Sequence, residues 1–198
     1  MIDELSRYAA DFLAERDGLQ EDRAKLYQIG VDVVLSTGIT FAGIGILAAR
    51  LGNLDGAVLF LACFITVRSY SGGYHASTRT RCFFLTCAAY LCTFWAAAGL
   101  AAAAPHLPGW GLGLVVFLTA AMDVGVFAAF APVENRHKRL PPDWKARNRK
   151  RAWYGLFGWM AAAAAFHTVR PVLSLQIWMT EAVITILILW CKPWRRNI

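Results

Sequence analysis

Six long apolar blocks constrain this chain of 198 residues more than any other feature. In chain order they cover residues 29–51, 54–67, 82–104, 110–131, 153–169 and 172–191. A transmembrane helix needs about 20 mostly apolar residues, and the first, third, fourth and sixth blocks have that length. Hydrophobic residues make up 58% of the chain and charged residues 17%. This composition gives the chain more apolar surface than a soluble fold of this size can bury. The pattern predicts an all-α polytopic membrane bundle.

The second block is short and opens with Asn53 and Asp55, so it is either a full crossing or a re-entrant element. Loop charges favour a crossing. If the N-terminus is cytoplasmic and all six blocks cross, 18 of the 20 Lys and Arg residues lie inside, and only Arg50 and Arg170 lie outside. This distribution is typical of the positive-inside rule. We therefore expect six transmembrane helices with both termini cytoplasmic.

The N-terminal segment has a different pattern. Apolar residues fall on one helical face between residues 2 and 17, which predicts an amphipathic helix that lies on the membrane surface or on the bundle. We expect a single domain over residues 1–198. It consists of an amphipathic cytoplasmic segment (1–28), a six-helix membrane bundle (29–191) and a basic cytoplasmic tail (192–198).

The polar stretch between the second and third blocks is the one best suited to chemistry. It reads Arg68-Ser-Tyr-Ser-Gly-Gly-Tyr-His75-Ala-Ser-Thr-Arg-Thr-Arg-Cys82. Cys82 would begin the third helix, with Thr78 or Thr80 as the N-cap. The positive end of the helix, together with Arg79 and Arg81, favours a reactive thiolate. The alternative is a loop in which Cys82 packs as a small apolar residue.

His75 is a candidate base for this thiol, because a Cys–His pair is the minimal set for thiol catalysis. In one continuous helix their Cα atoms would be about 10 Å apart, whereas a direct hydrogen bond needs about 2.6–3.2 Å. The chain between them must therefore break or fold back. Gly72 and Gly73 supply the backbone freedom for this, and Gly73 could also present a bare N–H to a substrate carbonyl.

The segment from Arg68 to Cys82 resembles the signature of the accessory gene regulator B (AgrB) family. A second stretch, residues 131–140 (Ala-Pro-Val-Glu-Asn-Arg-His-Lys-Arg-Leu), resembles the segment that follows the family's fourth span. The resemblance implies a membrane cysteine peptidase in which Cys82 is the nucleophile and His75 the general base. Arg68 and Gly73 match positions associated with activity in the family.

The same resemblance implies an AgrD-like propeptide as substrate and partner, and no cofactor. The family cuts a short amphipathic propeptide near its acidic C-terminal tail and forms an acyl-thioester on the enzyme. In many systems a Cys or Ser of the propeptide then closes a thiolactone or lactone ring.

Three acids, Asp32, Asp123 and Glu181, lie within apolar blocks, and intramembrane acids usually face the bundle interior. Asp123 lies toward the predicted cytoplasmic half and is a candidate for orienting His75. Pairing with a Ser or Thr, or protonation, is the alternative for this carboxyl. The three acids also favour a rival function, a small ion-coupled transporter, although no repeat relates the two halves of the chain.

Residues 132–152 form a strongly basic loop in this interpretation. The loop either anchors the chain on anionic membrane lipids or docks an acidic peptide tail, and the second reading leaves a noncatalytic peptide-binding adaptor as another alternative. Nothing resembles a nucleic-acid-binding module. Small-residue stretches such as 101–104 allow close helix packing and hence a homodimer. The remaining cysteines and histidines lack paired metal-ligand spacing, so we expect no metal site.

Overall fold

A computed structural model describes residues 8, 12, 21–72, 78–133 and 141–190. Nearly all of these residues belong to six α-helices: α1 (Glu21–Leu51), α2 (Leu54–Ser71), α3 (Arg79–Ala103), α4 (Gly111–Phe130), α5 (Pro142–Val169) and α6 (Pro171–Trp190). A short 3₁₀ turn, Ala104–His106, follows α3. Within the described ranges the fold is all-α, as predicted.

Five helices are long and apolar enough to cross a membrane. They are Ile29–Leu51 within α1, Leu54–Ser71, Arg79–His106, Gly111–Phe130 and Pro171–Trp190. Large apolar side chains such as Val34 and Phe117 stay exposed on their surfaces, as suits helices whose outer faces contact lipid. These helices fit a multi-pass membrane protein.

The short second block forms one unbroken helix, α2, of 18 residues. At about 1.5 Å per residue such a helix is about 27 Å long, close to the hydrocarbon thickness of about 30 Å. The helix gains its length at the C-terminal end, where it continues through Arg68 to Ser71. The second block is therefore a candidate span rather than a broken re-entrant element.

α5 differs from the other helices because its first part is basic. It has 28 residues and begins at Pro142, so the prediction of a loop over residues 132–152 is wrong from residue 142 onward. Proline at the first helical position is already set in a helical φ, and the Lys, Arg and Ala residues that follow have good helix propensity. The charged residues before residue 153 show where the apolar block begins, but they do not show where the helix begins.

The chain forms two compact units. The first contains α1 and the start of α3 as far as Ala88, and the second contains the chain from Asn53 to the end of α2 together with everything described from Ala89 onward. In the first unit, Gly43 lets α1 approach α3 closely. A Cβ atom at Gly43 would lie 2.6 Å from the ring of Phe83, in a contact that Cys87 also lines.

In the second unit α6 packs against α2, α4 and α5. α5 runs antiparallel to α2, because Trp159 Nε1 donates a hydrogen bond to Thr66 Oγ1 at 2.8 Å and the Arg151 guanidinium lies 5.5 Å from the centre of the Tyr70 ring. As the residue numbers rise along α2, those of the contacting residues fall along α5.

A buried polar contact joins the beginnings of α2 and α6. Asn53 Nδ2 donates to Gln176 Oε1 at 3.0 Å and to the Tyr90 hydroxyl at 3.3 Å. A Cβ atom at Gly56 would lie 2.1 Å from Gln176 Oε1, so glycine is what allows this approach. The two helices therefore start at the same end of the unit.

Two predicted segments fall mostly or wholly outside the described residues. The amphipathic helix over residues 2–17 is represented by Tyr8 and Phe12, which are helical and exposed. The basic tail, residues 192–198, lies wholly outside them.

Candidate active site

Cys82 is the fourth residue of α3, in the first unit, and its thiol is half-buried and not in a disulfide. The helix begins here because Thr78 caps it. The Thr78 hydroxyl oxygen accepts a hydrogen bond from the Arg81 N–H at 3.3 Å, and the Thr78 carbonyl accepts one from the Cys82 N–H at 3.0 Å. Thr78 is thus confirmed as the N-cap. Helical Cα–Cβ bonds tilt toward the N-terminus, so the Cys82 side chain leans toward the positive end of the helix.

Arg79 makes a contact that the sequence did not reveal. Its guanidinium forms a charge-assisted hydrogen bond with the Asp32 carboxylate of α1, and Asp32 is only 8% exposed. Both residues lie in the first unit. Arg79 was expected to act on Cys82 as an additional positive charge, but part of that charge is compensated by Asp32. In the sequence, the acidic residue Asp32 within an apolar block indicates that a polar partner is needed. The sequence does not identify Arg79 as that partner, because it lies 47 positions away.

His75 and Gly73 lie outside the described residues. The Cys82–His75 pair therefore stays a prediction, and so does the N–H donated by Gly73. Arg68 and Gly72 are described, and both belong to the second unit.

Gly72 has a conformation that suits glycine alone. Its φ is 74° and its ψ is −151°, in a region that side-chain-bearing residues essentially avoid. Val133 lies against it: the Val133 N–H donates to the Ser71 carbonyl at 2.9 Å, and Gly72 and Val133 form a parallel bridge. A Cβ atom at Gly72 would lie 2.3 Å from the Val133 carbonyl oxygen. We call this contact between Ser71–Gly72 and Pro132–Val133 the clasp.

The clasp brings together the two stretches that carry the family resemblance in the sequence. One follows α2 and the other follows α4, about 60 positions later in the chain. Ser71 is fully buried there, and the peptide bond before Pro132 is cis. Backbone atoms of Val133 therefore hold Ser71 and Gly72, the last described residues before the segment that contains His75.

Arg68 lies in the last turn of α2, one turn before the clasp. Its guanidinium lies 5.0 Å from the centre of the Phe64 ring, a cation–π distance. The Arg68 carbonyl accepts the hydrogen bond from the Gly72 N–H that ends the helix, at 3.1 Å. Arg68 thus contributes to the local structure from which the clasp starts.

The basic beginning of α5 lies beside the C-terminal ends of α2 and α4. Arg149 donates to the Ala128 carbonyl near the end of α4 at 3.2 Å, and Arg151 stacks over Tyr70 of α2. Helix C-terminal carbonyls attract such cations. Arginine side chains of α5 therefore reach the same helix ends that the clasp joins.

Asp123 is fully buried on α4, and its Oδ1 accepts a hydrogen bond from the Thr185 hydroxyl of α6 at 2.6 Å. The predicted alternative, a Thr partner, is therefore the contact that the described residues show. Glu181 of α6 is also fully buried, and neither of its carboxyl oxygens has a hydrogen-bond partner among the described residues. No group of three or more His, Cys, Asp or Glu residues suited to a metal ion occurs in those residues.

A family model and one curated protein resemble the chain. The family model described as Accessory gene regulator B (AgrB) matches residues 6–192. "Putative AgrB-like protein 2" of Clostridium perfringens (strain 13 / Type A) is 25% identical over 154 residues, which cover 76% of this chain and 70% of that protein. No solved structure matches the chain.

Proposed function

Because the chain belongs to the accessory gene regulator B family, we propose that it is an integral membrane cysteine endopeptidase that processes an AgrD-like quorum-sensing propeptide. Membership of the family suggests propeptide processing in general, and the cysteine mechanism that the resemblance of residues 68–82 implies is the part that we propose. The observation that carries it is the position of Cys82, a half-buried thiol in the first turns of a helix capped by Thr78. In such a position the positive end of the helix dipole faces the sulfur that would attack a substrate carbonyl.

The chemistry runs in two acyl transfers. The Cys82 thiolate attacks the carbonyl carbon of the scissile peptide bond near the propeptide's acidic tail. The C–N bond breaks, the leaving amine takes a proton from the His75 imidazolium, and an acyl-thioester remains on the Cys82 sulfur. A Cys or Ser of the propeptide then attacks the thioester carbon, His75 accepts its proton, and Cys82 is released. Exclusion of water favours ring closure over hydrolysis.

Two features described in the second unit suit this proposal. The clasp holds Gly72, which precedes His75 by three positions, and Arg68, Gly72 and Gly73 are the proposed supporting residues. The basic residues of α5 form a surface that complements an acidic peptide tail. Asp123, which accepts the hydrogen bond from Thr185 of α6, is a further supporting residue.

The proposal includes a topology. All six helices cross the membrane, both termini are cytoplasmic, and Cys82 opens toward the cytoplasm. The basic residues near the membrane contact anionic lipid, and close-packing small residues permit a homodimer.

Coexpression with a candidate propeptide tests the reaction. We expect cleaved peptide by mass spectrometry and an adduct on Cys82 that hydroxylamine releases. Cys82→Ala should abolish both products, whereas Cys92→Ala, an exposed cysteine on the same helix, should leave both unchanged. Cleavage that persists in Cys82→Ala contradicts the cysteine mechanism.

Glu181 favours a second candidate function, ion-coupled transport, since buried intramembrane acids commonly mark ion pathways. Transport that persists in Cys82→Ala and stops in Glu181→Gln would support it. Peptide capture without cleavage, unaffected by either substitution, would instead indicate an adaptor.

A further inference from the structure

Asp32 is a buried acid for which the proposed reaction has no role. It projects from α1 to the first turn of α3, where its carboxylate bonds to the Arg79 guanidinium. The Arg79 side chain is 36% exposed and that of Asp32 is 11% exposed. A charge-assisted bond in such a partly buried place is stronger than a neutral one, so this contact fixes the start of α3 against α1.

Arg79 precedes Cys82 by three positions in the same helix. Residues so spaced lie on one face, with Cβ atoms about 5–6 Å apart. Arg79 is therefore the arginine of this turn best placed beside the Cys82 sulfur, whereas the neighbouring Arg81 lies on a different face. The bond to Asp32 draws the Arg79 guanidinium toward α1 instead.

The other ionisable groups of this unit are few among the described side chains. From Ile29 onward, α1 carries Asp32 and Arg50 as its charged residues, and Arg50 is about 27 Å farther along the helix. The start of α3 carries Arg79, Arg81 and the second thiol, Cys87. Among the side chains that the structure describes from Ile29 onward in α1 and at the start of α3, the charged groups nearest Cys82 in sequence or by contact are thus Asp32 and the two arginines.

We propose that Asp32 is a positioning residue for Cys82: by holding Arg79 against α1, it orients the first turn of α3 and limits how strongly Arg79 stabilises the Cys82 thiolate. This inference rests on the proposed role of Cys82 as nucleophile. It explains why a carboxylate is buried next to a turn whose other charged residues are cationic.

The rate at which iodoacetamide alkylates Cys82 at neutral pH tests the inference without a propeptide. The full-length protein is used in membranes, and the alkylated fraction of the peptide that contains Cys82 is quantified by mass spectrometry against the same peptide in unalkylated form. Asp32→Asn leaves Arg79 without this ion pair, so we expect alkylation to rise about threefold. Arg79→Gln leaves the negative charge of Asp32 near the turn, so we expect alkylation to fall by about the same factor.

The two single variants are expected to change the alkylation rate in opposite directions. A simple loss of structure would instead change the rate in the same direction in both variants. Arg81→Gln is the matched control and should change the rate less than either variant. High ionic strength should shrink both differences. If Arg79→Gln fails to accumulate, the alkylation rate of Cys82 in Asp32→Asn is compared with that in the double variant Asp32→Asn/Arg79→Gln. These two proteins differ only at residue 79, so a slower rate in the double variant would support the inference and an equal rate would overturn it.

Equal rates in all variants, or changes of the same sign in both single variants, would overturn the inference. This failure differs from failure of the proposed function. Processing that survives Cys82→Ala would remove the peptidase mechanism, whereas the alkylation rates concern only the thiol and its two charged neighbours.

Discussion

Gly72 shows how one position can join two distant segments. Its backbone conformation excludes a side chain, and the space where a Cβ atom would lie is filled by the Val133 carbonyl. Both conditions arise from the same contact, because the chain must turn sharply after α2 to pair with the residues that follow α4. The clasp therefore depends on glycine for its geometry as well as for its close packing.

Gly72→Ala should disrupt the clasp. A side chain in this region of φ and ψ costs about 1–3 kcal/mol, and the clash with Val133 adds to that cost, so the segment leading to His75 should shift. A misplacement near 1 Å can cost about 10²-fold in rate. We expect propeptide processing to fall at least about tenfold, measured by mass spectrometry of the cleaved peptide.

The control for this prediction is Gly158→Ala. Gly158 lies within α5, and a Cβ atom there would meet nothing within 4 Å. Processing should stay close to that of the unmodified protein. Full activity of Gly72→Ala at an unchanged protein level would show that the clasp has no part in the reaction.

How much of the site could be predicted differs from residue to residue. The N-cap at Thr78 could be predicted because capping depends on residues three or four apart, and the same is true of the position of Cys82 at the helix start. The Asp32–Arg79 and Gly72–Val133 contacts could not, because each depends on packing between segments far apart in sequence. α2 ends at Ser71 with Gly72 as its C-cap, whereas the break expected between His75 and Cys82 stays a prediction, because residues 73–77 lie outside the described residues.

The helices themselves follow the apolar blocks closely, because a run of apolar residues both favours a helix and requires burial. α1 and α5 are the exceptions. α1 begins eight residues before its apolar block, and α5 begins 11 residues before its own, where Pro142 starts the helix irrespective of the charges that follow. Hydropathy thus predicts which part of a helix enters a membrane, whereas the limits of the helix depend on capping and propensity.

The Asp123–Thr185 hydrogen bond joins α4 to α6 and yields a prediction about the pair of helices. Thr185→Val removes the donor and leaves a buried carboxyl oxygen without it, which costs about 1–3 kcal/mol. Asp123→Asn keeps an acceptor oxygen for Thr185 and should be tolerated. We expect the free energy of unfolding, measured by SDS titration in mixed micelles, to fall in Thr185→Val and to change little in Asp123→Asn.

The same two variants distinguish the roles of Asp123. If its contribution is the contact with α6, propeptide processing should follow stability and remain nearly normal in Asp123→Asn. A variant that is stable but strongly impaired in processing would show instead that Asp123 orients His75, because replacing an orienting Asp with Asn can lower the rate by about 10⁴-fold.

The number of crossings depends on α5, whose hydropathy is the least suited to a span. Its contacts support the proposed crossing. α5 runs antiparallel to α2, with Arg151 beside Tyr70 at one end and Arg170 3.7 Å from Asp55 at the other. Only Arg170 separates α5 from α6, and the Ser174 hydroxyl donates to the Ala163 carbonyl at 2.7 Å. This packing along two candidate spans supports the proposal that α5 crosses the membrane with them.

Reporter fusions test the resulting six-crossing topology. If α5 crosses, a fusion after Ile198 lies inside, so green fluorescent protein should fluoresce there and alkaline phosphatase should be inactive. If α5 lies on the cytoplasmic surface, α6 becomes the fifth crossing and the C-terminus lies outside, which reverses both signals. A fusion after Leu140 is inside under either topology and serves as the control. We expect the cytoplasmic result at both positions. The opposite result would place the basic tail outside, against the positive-inside rule, and would separate Arg170 from Asp55.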